Sequence, residues 1–303
     1  MTPKLIRAVA PPVAVILLAC ASILSGAPAR QEPPTAQARA EIDRLIAESG
    51  AEVAVAFRTL DDKMQYMVQP ELSMHAASTM KVPVMIELFA QARAGKIGLD
   101  DELPVKNEFK SIVDGSAYQL EVGADSDAEV YKMVGKTMTL RALCEQMITV
   151  SSNLATNLLI EKLGVENIQK RVHALDADGM KVLRGVEDGK AFAKGLNNLT
   201  TAHALLTLME LIAQNKAGDP RDCAEMIAIL KRQKFNDRIP AGLPPGTPVA
   251  HKTGDITRIC HDAAIVYAPR PYVLVILVRG IEDQKKSAAL IANISRIIYS
   301  ASQ

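Results

Sequence analysis

Stretches with β-strand character lie near both ends of this chain, and a long run with helical character separates them. Apolar patterning predicts strands at 53–57, 64–68, 248–254, 261–268 and 271–279. Apolar residues at helical spacing predict helices at 37–48, 78–94, 139–149, 153–163, 165–175, 201–214, 220–232 and 284–301. The two terminal parts therefore form one sheet, the middle folds as a helical insertion, and a cleft lies where they meet.

Charge and composition narrow the classes of partner. The 303 residues carry a formal net charge of +1, and the basic residues do not cluster. The chain has no Trp, and aromatic residues make up 4% of it. Without a basic patch or stacking platforms, we expect no nucleic-acid partner.

The first 29 residues have the pattern of a secretory signal peptide. Lys4 and Arg7 precede an apolar run, and residues 27–29 are suited to cleavage. A membrane anchor is the alternative, but prolines interrupt the run and it is short for a stable membrane span. Cys20 lies in a stretch that resembles a lipoprotein cleavage box. We expect export to the periplasm or medium, with lipidation at Cys20 as the open alternative, followed by a linker at 30–36.

Cysteine and histidine spacing argues against a metal site. The cysteines after the leader, Cys144, Cys223 and Cys260, contain no CxxC pair, and the five histidines show no metal-ligand spacing. At most one disulfide can form, and the sequence leaves its pairing open. We expect neither a metal nor an organic cofactor.

The first of three short motifs is Ser78-Thr79-Met80-Lys81. Residues three apart on a helix are neighbours, so the Lys81 amine is expected within hydrogen-bond reach of the Ser78 hydroxyl. A desolvated lysine is a competent base for a serine nucleophile. Taken alone, this pattern is common by chance and favours the alternative, a surface serine beside a solvated lysine.

The second motif is Ser151-Ser152-Asn153, in a loop between two predicted helices. The Ser151 hydroxyl is placed to relay a proton, and the Asn153 amide to bind a substrate carbonyl. Helix capping by Ser152 or Asn153 is the structural alternative, and both roles can coexist.

The third motif, His251-Lys252-Thr253-Gly254-Asp255, lies on a predicted strand. Lys252 and Thr253 suit a substrate carboxylate, and Gly254 permits close approach. The main-chain N–H groups of Ser78 and Asp255 are candidate oxyanion donors. An ordinary edge strand with a solvated lysine is the alternative.

Taken in order, S-x-x-K, S-x-N and K-T-G resemble the signature of class A β-lactamases and other penicillin-recognising serine hydrolases. The resemblance extends from about residue 37 to the C-terminus. It implies an α+β, β-lactamase/transpeptidase-like fold, with an antiparallel sheet flanked by helices and an inserted all-helical domain. We therefore expect an α/β domain from 37–76 and 234–303, and a helical domain with an Ω-loop at 77–233.

The same resemblance implies a role for each motif residue. Ser78 becomes the acylated nucleophile, Lys81 its base or proton shuttle, and Ser151 the donor to the leaving nitrogen. Asn153 holds the acylamide side chain of the substrate. The substrate-binding set also includes Lys252, Thr253, Gly254 and Asp255.

The chain departs from the family at the deacylation residue. Class A enzymes carry a glutamate two residues after an arginine on the Ω-loop, whereas here the first acid after Arg184 is Glu187, one position later. Glu187 is thus a candidate base, with a solvated loop acid as the alternative. Asn197 and Asn198 are candidates to position a water.

Two further departures concern segments outside the motifs. Residues 111–118 and the acidic run after them are longer than the family core requires, and Tyr118 either borders the groove or packs ordinarily. Cys144 stands where some relatives have half of a disulfide, but Met85 occupies the partner position, so that bridge is expected to be missing.

Three functions remain open at this stage. The first is β-lactam hydrolysis, and the second is a peptidase or esterase acting on D-alanyl substrates. The third is a sensor or slowly deacylating penicillin-binding protein that stays acylated at Ser78. Each takes a small-molecule substrate, and we expect a monomer. A Ser-His-Asp hydrolase is disfavoured because Ser78 is not in a G-x-S-x-G elbow.

Overall fold

The structure is a computed structural model that describes residues 1–3 and 33–303. The predicted signal peptide, with Cys20, lies outside the described residues apart from its first three positions. The α-helices are α1 (Ala36–Ser49), α2 (Lys81–Arg93), α3 (Leu140–Thr149), α4 (Asn153–Leu163), α5 (Val165–Ala174), α6 (Gly189–Ala193), α7 (Ala202–Ala213), α8 (Pro220–Leu230) and α9 (Gln284–Ser302). Within this described part, no helix is both long and apolar enough to cross a membrane.

The main sheet is antiparallel and contains strands from both ends of the chain. The strands are β1 (Glu52–Thr59), β2 (Gln65–Val68), β3 (Met74–His75), β4 (Glu102–Pro104), β5 (Phe109–Lys110), β6 (Ala117–Tyr118), β7 (Thr137–Thr139), β8 (Leu199–Thr200), β9 (Val249–Ile256), β10 (Ile259–Val266) and β11 (Tyr272–Arg279). The sheet order is β2-β1-β11-β10-β9, and the remaining strands form small paired ribbons. This confirms the predicted fold class, and it leaves β9 at an edge.

Alternate residues of β1 enter two different hydrophobic clusters. Val53, Val55 and Phe57 belong to a cluster with apolar residues of α1 and α9. Ala54 and Ala56 belong to a larger cluster with the helical segments. Both faces of the sheet are therefore covered, as the two-residue side-chain period of a strand requires. The domain boundaries at 76/77 and 233/234 stay a proposal.

Several short elements were not predicted. The helix expected from residue 78 begins as a 3₁₀ turn, Ala77–Met80, and becomes α-helical at Lys81. A short helix, α6, and the ribbons β3–β8, β4–β7 and β5–β6 also went unpredicted. Pieces of two to five residues are too short for hydrophobic periodicity to distinguish them from loop.

Candidate active site

Ser78 lies at the start of the chain segment that leads into α2, against the edge strand β9. The preceding residue, Ala77, has a φ of +45°, a left-handed conformation that non-glycine residues rarely adopt. A Cβ atom added at Gly254 would lie 3.0 Å from the Ser78 nitrogen and 2.9 Å from that of Thr79. Gly254 therefore allows β9 to approach the Ser78 main chain closely.

Lys81 is fully buried, and its amine binds the second motif. Its Nζ donates to Ser151 O at 2.6 Å, Ser151 Oγ at 3.1 Å and Asn153 Oδ1 at 2.9 Å. Its hydrogen bonds within the described chain do not include the direct one to Ser78 that the sequence predicts. Burial lowers the pKa of Lys81 to about 7, although nearby carboxylates, led by that of Asp125, oppose the shift. A substantial fraction of this amine is therefore neutral near pH 7.

The hydroxyl of Ser151 lies between two lysines. It accepts hydrogen bonds from Lys81 Nζ at 3.1 Å and from Lys252 Nζ at 3.0 Å. Ser151 adopts a left-handed φ of +60°, which places its carbonyl as well as its hydroxyl against Lys81. A hydroxyl has two acceptor lone pairs and one proton, so two lysine donors leave the Ser151 proton free for a third partner.

Lys252 on β9 is the second fully buried amine of the site. It also donates to Thr253 O at 2.8 Å. Burial lowers the pKa of Lys252 well below its usual value, and the positive charges of Lys81 and Arg238 lower it further. Asp255, at the exposed end of the motif, accepts a hydrogen bond from Arg238 Nη2 at 2.7 Å.

Two cavities meet at Ser78. One, of about 430 Å³, lies toward Ser151, Thr253 and Arg238. The other, of about 520 Å³, lies toward Glu187 and Phe192 of the Ω-loop, which we define as residues 184–198. Ser78, Ala124, Asn153 and Asp255 line both cavities. Together they form a groove in which the predicted nucleophile, Ser151 and the end of β9 are accessible to one ligand.

Glu187 reaches the site through Asn153. Asn153 Nδ2 donates to Glu187 Oε1 at 2.6 Å, while its Oδ1 accepts from Lys81. Although Glu187 is exposed as a whole residue, desolvation raises the pKa of its carboxyl. The structure therefore brings Glu187, Asn153 and Lys81 into one hydrogen-bonded chain.

The asparagines of the Ω-loop hold the loop itself. Buried Asn198 accepts from the main-chain N–H groups of Leu183 and Arg184, and donates to Arg184 O at 3.0 Å. Asn197 Oδ1 accepts from Arg184 Nη2 at 3.1 Å. In the structure the Asn198 amide and the Asn197 oxygen bind the loop, and a role in positioning a water stays a prediction.

The model of a family described as "Beta-lactamase enzyme family" matches residues 37–302. The chain belongs to this beta-lactamase family. A β-lactamase from Bacteroides uniformis is 27% identical over 180 residues, 54% of this chain and 60% of that protein. One from Streptomyces albus G is 28% identical over 174 residues, covering 53% of this chain and 54% of that protein. The chain thus matches little more than half of the length of these curated relatives.

A solved structure named PBP-A has the same fold as this member of the beta-lactamase family. It aligns with a TM-score of 0.78 at 26% identity, covering 90% of this chain and 98% of PBP-A. A mutant of PBP-A is described as an acyl-enzyme complex with penicillin G. These matches confirm the predicted β-lactamase/transpeptidase-like architecture.

Two residues of this beta-lactamase family site were missed by sequence reasoning. Asp125 accepts hydrogen bonds from the main-chain N–H groups of Asn153, at 2.9 and 3.0 Å, and Leu154, at 3.1 Å. It thereby caps α4 together with Ser152, whose side chain accepts from the Ala155 N–H group. The other missed residue is the buried cation Arg238.

Several other residues that the sequence singled out make structural contacts in this beta-lactamase family fold. Buried His251 binds Asp262 Oδ1 at 3.0 Å and Asn236 Oδ1 at 3.1 Å. Tyr118 donates to Val186 O at 3.3 Å, behind the Ω-loop. Cys144, Cys223 and Cys260 are buried free thiols. In the described ranges, no cluster of three or more His, Cys, Asp or Glu residues has metal-binding geometry.

Proposed function

We propose that this protein hydrolyses β-lactams as a class A-like serine enzyme, through an acyl-enzyme on Ser78. The observation that carries the proposal is the Ser151 hydroxyl held by two buried lysines, in a groove that Ser78 also lines. In this arrangement Lys81 can accept the proton of the attacking serine, and Ser151 can donate a proton to the leaving nitrogen.

In the acylation step, Ser78 Oγ attacks the lactam carbonyl carbon and loses its proton to the Lys81 amine. A pKa of about 7 leaves that amine able to accept a proton at neutral pH. The ring C–N bond breaks, and the leaving nitrogen takes a proton from Ser151. Lys81, within hydrogen-bond distance of Ser151 Oγ, then returns a proton to it. The carbonyl oxygen is stabilised by the N–H groups of Ser78 and Asp255.

A carboxylate on the substrate would bind at the β9 end of the groove. The Arg238 guanidinium supplies the positive charge, and the Thr253 hydroxyl and the Lys252 amine supply further donors for the carboxylate. Because Asp255 already accepts from Arg238, substrate binding exchanges one carboxylate partner for another. Asn153 would hold the acylamide group.

Hydrolysis of the ester requires a base for water, and Glu187 is the residue proposed for it. The raised pKa of its carboxyl suits a base.

The contact between Glu187 and Asn153, however, favours a second candidate function. The 2.6 Å hydrogen bond from Asn153 engages one Glu187 oxygen, and a carboxylate held in this way is a weaker base for the hydrolytic water, which would make deacylation slow. The second candidate is a D-alanyl peptidase or esterase, or a slowly deacylating penicillin-binding protein.

Steady-state hydrolysis of a chromogenic cephalosporin by the full chain tests the first proposal. We expect turnover, and a loss of at least about 10³-fold in Ser78→Ala. Unchanged turnover in Ser78→Ala would end the mechanism. A D-alanyl ester assayed beside the cephalosporin, with intact-mass measurement over hours, separates the candidates. A transient adduct with product favours the β-lactamase, whereas a persistent adduct or preferred ester turnover favours the second candidate.

A further inference from the structure

The turn that carries Ser78 depends on a side chain two residues before its strained alanine. Ala77, with its φ of +45°, donates its main-chain N–H to His75 Nδ1 at 3.0 Å. A left-handed conformation is unfavourable for an L-residue and persists only where its surroundings fix it. The His75 imidazole supplies this constraint, because it satisfies the amide in that conformation.

A second histidine fixes the main chain of the first. His261 Nε2 lies 3.0 Å from His75 O, and Val278 N donates to His261 Nδ1 at 3.2 Å. Since a carbonyl can only accept and an amide can only donate, His261 must be neutral with its proton on Nε2. By the same argument, His75 must leave Nδ1 unprotonated. Burial lowers the pKa of each histidine to about 4, which agrees with these assignments.

His261 also lies beside the strand that carries the second proposed oxyanion donor, the main-chain N–H of Asp255. In the sheet it pairs with Gly254 on β9, the residue beside Ser78 N and directly before Asp255. Its carbonyl accepts from Arg238 Nη1 at 3.0 Å. His261 therefore contacts the main chain of His75 through its ring, and it contacts β9 and Arg238 through its own main chain.

We infer that His75 and His261 are positioning residues that hold the Ala77–Ser78 turn and so aim the Ser78 N–H at the substrate carbonyl. The inference rests on the proposed acylation of Ser78 for its catalytic consequence. Neither histidine has a role in the proton transfers proposed above. Both act through the backbone of the turn.

The test compares His75→Ala with His75→Asn and with His173→Ala as control. An asparagine side chain can accept from the N–H group two residues later, so His75→Asn should restore the contact that alanine removes. His173 is exposed and bound to Asp178, away from the groove. His261→Leu removes the second contact and should act in the same direction as His75→Ala.

Two readouts apply to each variant that keeps the wild-type circular dichroism spectrum. Hydrogen exchange at the Ala77 amide reports the turn directly and needs no substrate. Acylation rates and the infrared carbonyl stretch of the acyl-enzyme report the oxyanion donors. We expect faster Ala77 exchange, acylation slowed by roughly 10- to 100-fold and a higher stretching frequency in His75→Ala. Each should return toward wild type in His75→Asn and stay unchanged in His173→Ala.

The inference is overturned if folded His75→Ala exchanges its Ala77 amide at the wild-type rate. It is also overturned if this variant keeps both the wild-type acylation rate and the wild-type carbonyl stretching frequency. A different failure belongs to the proposed function. If the wild-type chain forms no adduct on Ser78 with any β-lactam, the function fails, while the exchange data still decide whether the histidines hold the turn. The closing experiment thus separates the two claims.

Discussion

Asn153 donates to Glu187 at 2.6 Å while accepting from Lys81 at 2.9 Å, so one amide joins the proposed acylation base to the proposed deacylation base. The two carboxylate oxygens of Glu187 are therefore not equivalent. Oε1 is engaged, and Oε2 is the oxygen available to a hydrolytic water. In the proposed mechanism, the rate of deacylation depends on that second oxygen.

We predict that Glu187→Gln slows deacylation by at least about tenfold and leaves acylation within a few-fold of wild type. An amide cannot accept the proton that water must lose, whereas acylation uses Lys81 and Ser151. Intact-mass spectrometry after rapid mixing with a penicillin measures both steps. Glu121→Gln is the matched control, because Glu121 influences Glu187 only through its charge. Equal adduct lifetimes in Glu187→Gln and wild type would remove Glu187 from the mechanism.

Acylation should lose rate on the acidic side of pH 7. The pKa of Lys81 is lowered to about 7, so the neutral amine that accepts the Ser78 proton disappears as pH falls below that value. We expect kcat/KM to fall about tenfold for each pH unit below the apparent pKa. The measurement is a pH profile of kcat/KM between pH 5 and 8.5, with a substrate that has no group titrating within this range. A flat profile across that range would exclude Lys81 as the base.

The three motifs were predictable because each is a short run of neighbouring residues. The contacts that orient their side chains were not predictable, because they join residues far apart in the sequence. Asp125 lies 28 residues before the Asn153 amide that it caps, in a run of acids with no capping pattern. Alanine at position 77 gives no signal of a positive φ, as a glycine would have done. The hydrogen bonds of the Lys81 amine were not predictable for the same reason, since they go to Ser151 and Asn153, which lie far along the chain, and not to Ser78.

The hairpin formed by β5 and β6 binds the Ω-loop at several points, and the most buried of them is the Asp188 carboxylate. Asp188 accepts from Ser111 Oγ at 2.9 Å and Ile112 N at 3.0 Å, and also caps α6. We predict that Ser111→Ala lowers the free energy of unfolding by about 1–3 kcal/mol, because a buried bond to a charged group is lost. Deacylation should slow more than acylation, since Glu187 directly precedes Asp188.

Chemical denaturation and adduct lifetimes measure these two effects. Ser49→Ala, at the end of α1 and hydrogen-bonded to Ile46 O, is the control. If Ser111→Ala destabilises the protein and changes both rate constants equally, the hairpin supports the fold without orienting the Ω-loop.

Neutral His261 should make the protein sensitive to acid. Its pKa is lowered in the folded state from 6.5 to about 4, mainly by burial, so the unfolded chain binds more protons between these values. The stabilisation relative to acid is therefore complete above about pH 6.5 and is lost as pH falls toward 4. The difference between the two pKa values corresponds to about 3 kcal/mol of stability.

We predict that His261→Leu is less stable than wild type at pH 7. Between pH 6.5 and 4, its free energy of unfolding should fall by about 2–3 kcal/mol less than that of wild type. Urea unfolding at each pH, with His173→Ala in parallel, measures this. Parallel stability curves for wild type and His261→Leu would mean that His261 is not held neutral, because a residue with the same pKa folded and unfolded contributes no pH dependence.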